Sequence, residues 1–388
     1  MKSIILTILF SSILTMANAQ FNPEKPELCQ RAFYTEEQAV TVHQDLAKLY
    51  SDKASWEKRA ALIKKGILDG AEITKISHKK PKNIVIYSKK QLNGYAVENV
   101  SFESQKGIYV TGNLYTPLSI NIKTAAILCP HGHGADPRYK EYTQQRCATL
   151  ARMGAVVFAY DMVGQGDSKY CDHKIEKVLK LQLLNGIAIV NFLTSLPIVD
   201  KNRIGITGES GGGTQTFLLA AVDERIKVSV PVVMVSSYFF GGCNCESGMP
   251  IHKRPTHQTT NVEIAACFAP KPLLLVSDGD DWTKHTPEVE YPHIKRIYSF
   301  YNAESNVENA HFALEKHDYG ASKRMAAYPF LAKHHGLDLN KVMKDGKIDE
   351  SANTVLTVED LQVFTGEHPK PSDALQGNDA VSTVLNKN

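Results

Sequence analysis

One serine stands among four nearby glycines in Gly208-Glu209-Ser210-Gly211-Gly212-Gly213, between an apolar run at 204–207 and a helical pattern at about 211–222. A G-x-S-x-G sequence between a strand and a helix makes a sharp, strained turn that presents the hydroxyl at the strand's C-terminal end. Bulky side chains beside that turn would collide with the neighbouring strand and helix. The amide of Gly211, at the helix start, is aimed where an oxyanion would form. The chemistry implied is acyl transfer through Ser210. A serine hydroxyl is a weak nucleophile and needs a base, with an acid to orient the base.

In this arrangement the chain order is serine, acid, histidine. The acid is sought after the apolar run 272–277, where Asp278, Asp280 and Asp281 follow in "SDGDDWT". Asp281 is chosen, because it lies far enough past the strand for a loop to carry it towards a histidine; Asp280 is its rival. His317 sits between a strand pattern at 307–314 and a helical pattern at 321–335, and is the expected base. His311 falls inside the strand pattern, and His334 and His335 end the helix, where a histidine charge suits the dipole. The second oxyanion donor is expected from His131-Gly132-His133-Gly134, with the amide of His133 the chosen group. An H-x-H pair could also ligate a metal, but no carboxylate-rich motif accompanies it. No metal and no cofactor are expected.

The elements that must hold these residues read as an α/β fold. Alternating β-branched and aromatic residues at 95–104 and 107–117 suit half-buried antiparallel strands. Continuous apolar runs at 124–130, 154–160, 203–208, 227–235 and 272–277 suit strands buried on both faces of a parallel sheet. Helical patterns at 139–153, 181–197, 211–222 and 288–302 lie between them, as crossovers do. Residues 20–90 read as a helical N-terminal extension opening with a capping box at Thr35–Gln38, and residues 91–340 as the catalytic domain. Residues 341–388 read as a C-terminal extension whose final ~30 residues form a polar tail lying on the surface or partly disordered.

Lys2, a short apolar core and "ANA" at 17–19 form a secretory signal pattern over residues 1–19. A secreted or periplasmic chain, without stable membrane insertion after cleavage, is therefore expected. A net charge of +3 over 388 residues gives no electrostatic footprint for nucleic acid. The seven cysteines, all beyond the signal, are an odd number, so at least one stays unpaired or pairs between chains. Cys129 and Cys267 lie in apolar runs and read as core; Cys243-Asn-Cys245 is a candidate for a loop disulfide. The spacing leaves connectivity and oligomeric state open.

Taken together, "CPHGHG", "FAYDMVGQGDS", "GESGGG", "SDGDDWT" and "EKHDYG" resemble the α/β-hydrolase superfamily over about 95–336, in that superfamily's order. Within it, the antiparallel lead-in and the "YDMVGQGDS" loop look most like bacterial secreted hydrolases related to acetyl xylan esterases. The resemblance implies a mostly parallel eight-stranded central sheet flanked by helices, a Ser-His-Asp esterase without a cofactor, and a carbohydrate ester or other small ester as substrate. "SGGGTQ" lacks the arginine that glucuronoyl esterases usually carry near the serine. The insertion 236–261 offers Tyr238 and Phe239 as a wall for a sugar ring, and Lys253 and Arg254 for an acidic sugar; a plain capping loop fits equally. Besides deacetylation, a uronic-acid methyl esterase and a prolyl-oligopeptidase-type peptidase are alternatives. About 75 mature residues before the hydrolase strands are too few for a propeller.

Overall fold

Apolar runs and helical patterns become, in the computed structural model, a single central sheet covered on both faces. The structure describes residues 26–387, apart from 120, 121 and 136; the signal segment expected at 1–19 lies outside the described residues. Two helices come first, α1 (Glu36–Ala47) and α2 (Lys53–Gly70), followed by β1 (Lys82–Gln91), β2 (Tyr95–Gln105) and β3 (Ile108–Pro117). The alternating part runs β4 (Thr124–Cys129), α3 (Glu141–Arg152), β5 (Val156–Tyr160), α4 (Val178–Ser195), β6 (Val199–Glu209), α5 (Gly211–Val222) and β7 (Ile226–Val232). The insertion holds α6 (Asn244–Ser247), the short strands β8 (Lys253–Arg254) and β9 (His257–Gln258), and α7 (Asn261–Ala266). The sheet resumes with β10 (Leu273–Asp278), α8 (Tyr291–Ser299), β11 (Val307–Phe312) and α9 (Ala321–His335). The C-terminal part adds β12 (Met343–Lys344), β13 (Lys347–Ile348), α10 (Val358–Leu361) and α11 (Asn378–Lys387).

The sheet order is β1-β2-β3-β5-β4-β6-β7-β10-β11. Pairing is antiparallel from β1 through β3 to β5, and parallel from β5 to β11. The sheet therefore has nine strands where eight are expected. The ninth, β1, lies inside the segment read as a helical extension. It is a sheet edge, rich in lysine, mostly exposed and twice irregular in register. Those are the features that blunt an edge, and they also erase the alternation that marks a strand in sequence.

The N-terminal helices behave as read, but as two. Thr35 and Asp52 each close a capping box, and the break at 48–52 separates them. Trp56, Ile63 and Ile67 of α2 join the same core cluster as Phe217 of α5 and Ile264 of α7. Arg59 pairs with buried Glu263 at 2.5 Å, fixing α2 to the insertion.

The C-terminal tail is a correction. It straps the sheet instead of lying loose: Leu361, Val363, Val381 and Leu385 are fully buried. Arg138 donates to Leu361 O at 2.9 Å, and Asn99 donates to Gln362 O at 2.9 Å. The apolar contacts are sparse and far apart in sequence, so composition alone reads the segment as polar.

Candidate active site

Ser210 has φ 55° and ψ −123°, a strained backbone region for a residue with a side chain. Its amide donates to Val232 O at 3.0 Å, which pins the turn between β6 and β7. The flanking glycines are required by close approach. A Cβ on Gly208 would lie 2.4 Å from Pro130 O, and one on Gly212 2.8 Å from the His131 backbone. The same approach brings the 131–134 loop against the serine, with Ser210 Cβ 3.1 Å from where a Gly132 side chain would begin.

That loop is held by groups the sequence does not advertise. His131 Nε2 accepts from Met162 N at 3.1 Å, so its Nδ1 carries the proton donated to Gly132 O at 2.8 Å. Burial pushes its pKa down to about 4, which keeps the ring neutral. Glu209, beside the nucleophile, accepts the Gly132 amide at 2.9 Å and pairs with buried Arg146 at 3.0 Å. Among the described residues, no acceptor meets the backbone amides of Gly211 and His133. Both are thus free donors beside the serine, the pattern expected of an oxyanion hole. The "YDMVGQGDS" loop is anchored from beneath: Arg138 donates to Asp161 at 2.8 Å and to Asp167 at 2.7 Å.

His131 and His133 do not face a common point. His133 Nε2 faces His173 Nε2 at 3.0 Å and Cys245 Sγ at 3.2 Å. The H-x-H pair weighed on sequence is therefore not a pair in space.

The acid and base come together. His317 Nδ1 donates to Asp281 Oδ2 at 2.5 Å. The Asp281 carboxylate is almost fully covered, and its Oδ1 accepts both the amide and the hydroxyl of Thr283 at 2.6 Å. Asp280 makes no such contact; its amide donates to Asp278 Oδ1 at 3.2 Å. Lys323, which the sequence reading passes over, ties the two loops from below. Its buried ammonium reaches Asp278 at 3.1 Å, Asp318 at 2.9 Å and Lys316 O at 2.5 Å. Among the described residues, no hydrogen bond joins Ser210 Oγ to His317; such contacts commonly tighten only with substrate bound.

Phe239 stacks on Trp282 with ring centroids 4.0 Å apart, and Trp282 leans on the His317 ring at 4.6 Å. Trp282 is a second residue missed on sequence. Tyr238 stands half-exposed nearby, its phenol pushed up to about 12 by burial, with Glu36, Glu290 and Asp281 adding.

Lys253 and Arg254 are a correction. Lys253 pairs with Glu27 at 2.7 Å and lies over the Phe33 ring. Arg254 donates to Gly66 O at 2.7 Å and Pro250 O at 3.2 Å. Both fasten the N-terminal segment to the insertion, and these partners replace the acidic sugar expected for them. Glu27 and Gly66 come from the other end of the chain, so neither side chain looks engaged in sequence. The N-terminal segment also reaches the acid loop, where Glu36 meets Lys284 and His285, each at 2.7 Å. All seven cysteines are unpaired, so no loop disulfide forms at Cys243-Asn-Cys245.

The model of the acetyl xylan esterase (AXE1) family matches residues 71–240. A solved methylesterase, BT1017, is 39% identical, with a TM-score of 0.85 over 94% of this chain and 80% of that one. The chain belongs to the α/β-hydrolase superfamily, among its acetyl xylan esterase-like hydrolases. It is a serine-type carboxylic ester hydrolase. A putative acetyl xylan esterase from Bacteroides fragilis shares the fold, at 16% identity and a TM-score of 0.52, over 72% of this esterase and 82% of its own chain. The uncharacterised YcjY of Escherichia coli K12 is 30% identical over 183 residues, 43% of this chain and 58% of its own. The esterase thus covers less than two thirds of that curated relative.

Proposed function

We propose that the esterase removes methyl groups from the carboxylates of a sugar acid, with Ser210 as nucleophile, His317 as base and Asp281 as orienting acid. The observation that carries the mechanism is the 2.5 Å Asp281–His317 pair in the loops after β10 and β11, with a serine on a strained elbow after β6 of the same parallel sheet. The leaning towards methyl esters comes from the 39% identity to a protein named as a methylesterase.

Ser210 Oγ attacks the ester carbonyl while His317 Nε2 takes its proton. Asp281 keeps Nδ1 protonated and stabilises the imidazolium. The amides of Gly211 and His133 receive the oxyanion, each typically worth ~2.7–4 kcal/mol of barrier. The tetrahedral intermediate collapses, and methanol leaves with the proton from His317. Water then attacks the acyl-serine, His317 again acting as base, and the free carboxylate is released. Phe239 and Trp282 supply an aromatic surface beside His317 on which the apolar face of a sugar ring can pack.

The family match favours a second reading, removal of acetyl groups from a polysaccharide. There the same steps leave an acetyl group on the serine as the sugar hydroxyl departs, and water then releases acetate. A peptidase has no such support. We further propose export, with cleavage after Ala19, on the strength of the signal pattern.

Methanol and acetate release, measured side by side on methyl-esterified pectin and acetylated xylan, decides between the two. Methanol release lost in Ser210→Ala is the expected result. Acetate release alone moves the substrate to acetyl esters. Release of either by Ser210→Ala at the wild-type rate removes Ser210 from the mechanism.

A further inference from the structure

The His133 ring meets three side chains brought from two other loops. His133, His173, Cys243 and Cys245 each offer one ligand atom, and those four atoms lie within 4.8 Å of one another. His133 Nε2 is 3.0 Å from His173 Nε2 and 3.2 Å from Cys245 Sγ. Ligands on a tetrahedral zinc, with Zn–N about 2.0–2.1 Å and Zn–S about 2.3 Å, stand roughly 3.3–3.8 Å apart along each edge. The cluster is already close to that size.

The surroundings are those of a ligand set. His173 Nδ1 meets Val163 O at 2.5 Å, which places the proton on Nδ1 and leaves Nε2 free to bind a metal. The amide of Cys243 donates to Glu246 Oε2 at 2.9 Å, and Glu246 is itself buried and reached by the Thr214 hydroxyl at 3.4 Å. Asn244, between the two cysteines, donates to Lys174 O at 2.9 Å, next to His173. The cysteine loop is thus fastened to the His173 loop through Asn244 and to α5 through Glu246.

We propose that His133, His173, Cys243 and Cys245 bind one zinc ion in a closed Cys2His2 site that clips the oxyanion loop to the insertion. Two thiolates and two imidazoles are the donor set of a soft-to-borderline divalent ion held tetrahedrally, not of calcium or magnesium. On binding, each cysteine loses its proton to solvent, and the two thiolates neutralise the ion's charge. Four protein ligands leave no open position, so the ion is structural and not a Lewis acid for the ester. Its leverage comes from position. A Cβ on Gly211 would lie 2.5 Å from His133 Cε1, so the ring that binds the ion packs against the residue after the nucleophile. The site joins the loops after β4, β5 and β7, which carry the His133 amide, the Met162 region and Phe239.

The test is metal analysis of the full chain, purified under reducing conditions, stripped with chelator and returned to zinc sulfate. One zinc per chain, resisting dialysis, is expected, with uptake lost in Cys245→Ser and His173→Ala. Cobalt should replace it and give the thiolate charge-transfer and intense visible bands of a tetrahedral two-thiolate site. Circular dichroism reports whether each variant folds; if one does not, the cobalt spectrum of the wild-type chain decides. A wild-type chain that takes up no zinc and gives an octahedral cobalt spectrum overturns the proposal. So does zinc uptake unchanged in folded Cys245→Ser, or a Cys243–Cys245 disulfide formed while zinc is present.

Discussion

Asp281 Oδ2 accepts from His317 Nδ1 at 2.5 Å, while its other oxygen is held by Thr283. The carboxylate is fixed on both sides before it meets the imidazole. Asp281→Asn should present the wrong hydrogen-bonding group to Nδ1 and lower kcat by about 10⁴-fold, the loss typical of this change in a triad. Asp280→Asn should stay within a few-fold of wild type. Steady-state rates on an aryl ester check both, and equal losses would mean that Asp281 is not the acid.

Lys323 binds the acid loop through Asp278 and the base loop through Asp318 and Lys316 O, with its side chain fully buried. Lys323→Met leaves Asp278 without its cation and should cost roughly 3–5 kcal/mol of stability. Lys323→Met with Asp278→Asn should recover part of that loss. Urea unfolding of the three variants reads the difference; additive losses would contradict the coupling.

Trp282 sits between Phe239 and the catalytic-loop imidazole, at 4.0 Å and 4.6 Å respectively. Trp282→Ala should lower kcat by freeing the ring of His317, whereas Phe239→Ala should act mainly on KM for a sugar ester. An unchanged KM for Phe239→Ala on polysaccharide, beside a normal rate on a small aryl ester, would remove Phe239 from substrate binding.

Burial holds six imidazoles neutral. His43 and His335 are pushed down to about 3, and His131, His252, His257 and His293 to about 4. Their unfolded values lie near 6.5, so the unfolded chain binds more protons below that pH. Their contribution is full above about 6.5 and is lost as pH falls towards 4. Melting temperature should therefore drop steeply between pH 6.5 and 4. A flat profile over that window would show that these rings gain protons without unfolding.

Deleting 358–388 should lower the melting temperature or give insoluble protein, because Leu361, Val363, Val381 and Leu385 leave the core. A truncated chain with wild-type stability would contradict the strap.

Much of the site was legible because its parts are local. The Ser210 turn is written in adjacent residues, Asp281 follows a strand that announces itself by a continuous apolar run, and His317 stands between a strand pattern and a helical one. What was hidden is what depends on partners far away. Glu209 reads as the free position of a motif, yet it holds the Gly132 amide and Arg146. Lys323 looks like a helix-surface lysine until two loops converge on it. Lys253 and Arg254 look free for substrate because Glu27 and Gly66 come from the other end of the chain. The edge strand β1 failed to stand out because an edge suppresses the pattern that marks a strand.

The most direct measurement is labelling with a fluorophosphonate, read by mass spectrometry of the intact chain and its peptides. A single adduct on Ser210, slowed in His317→Ala and absent in Ser210→Ala together with ester turnover, is the expected result. An adduct on another residue, or turnover that persists in Ser210→Ala, would contradict the assignment of Ser210 as the nucleophile.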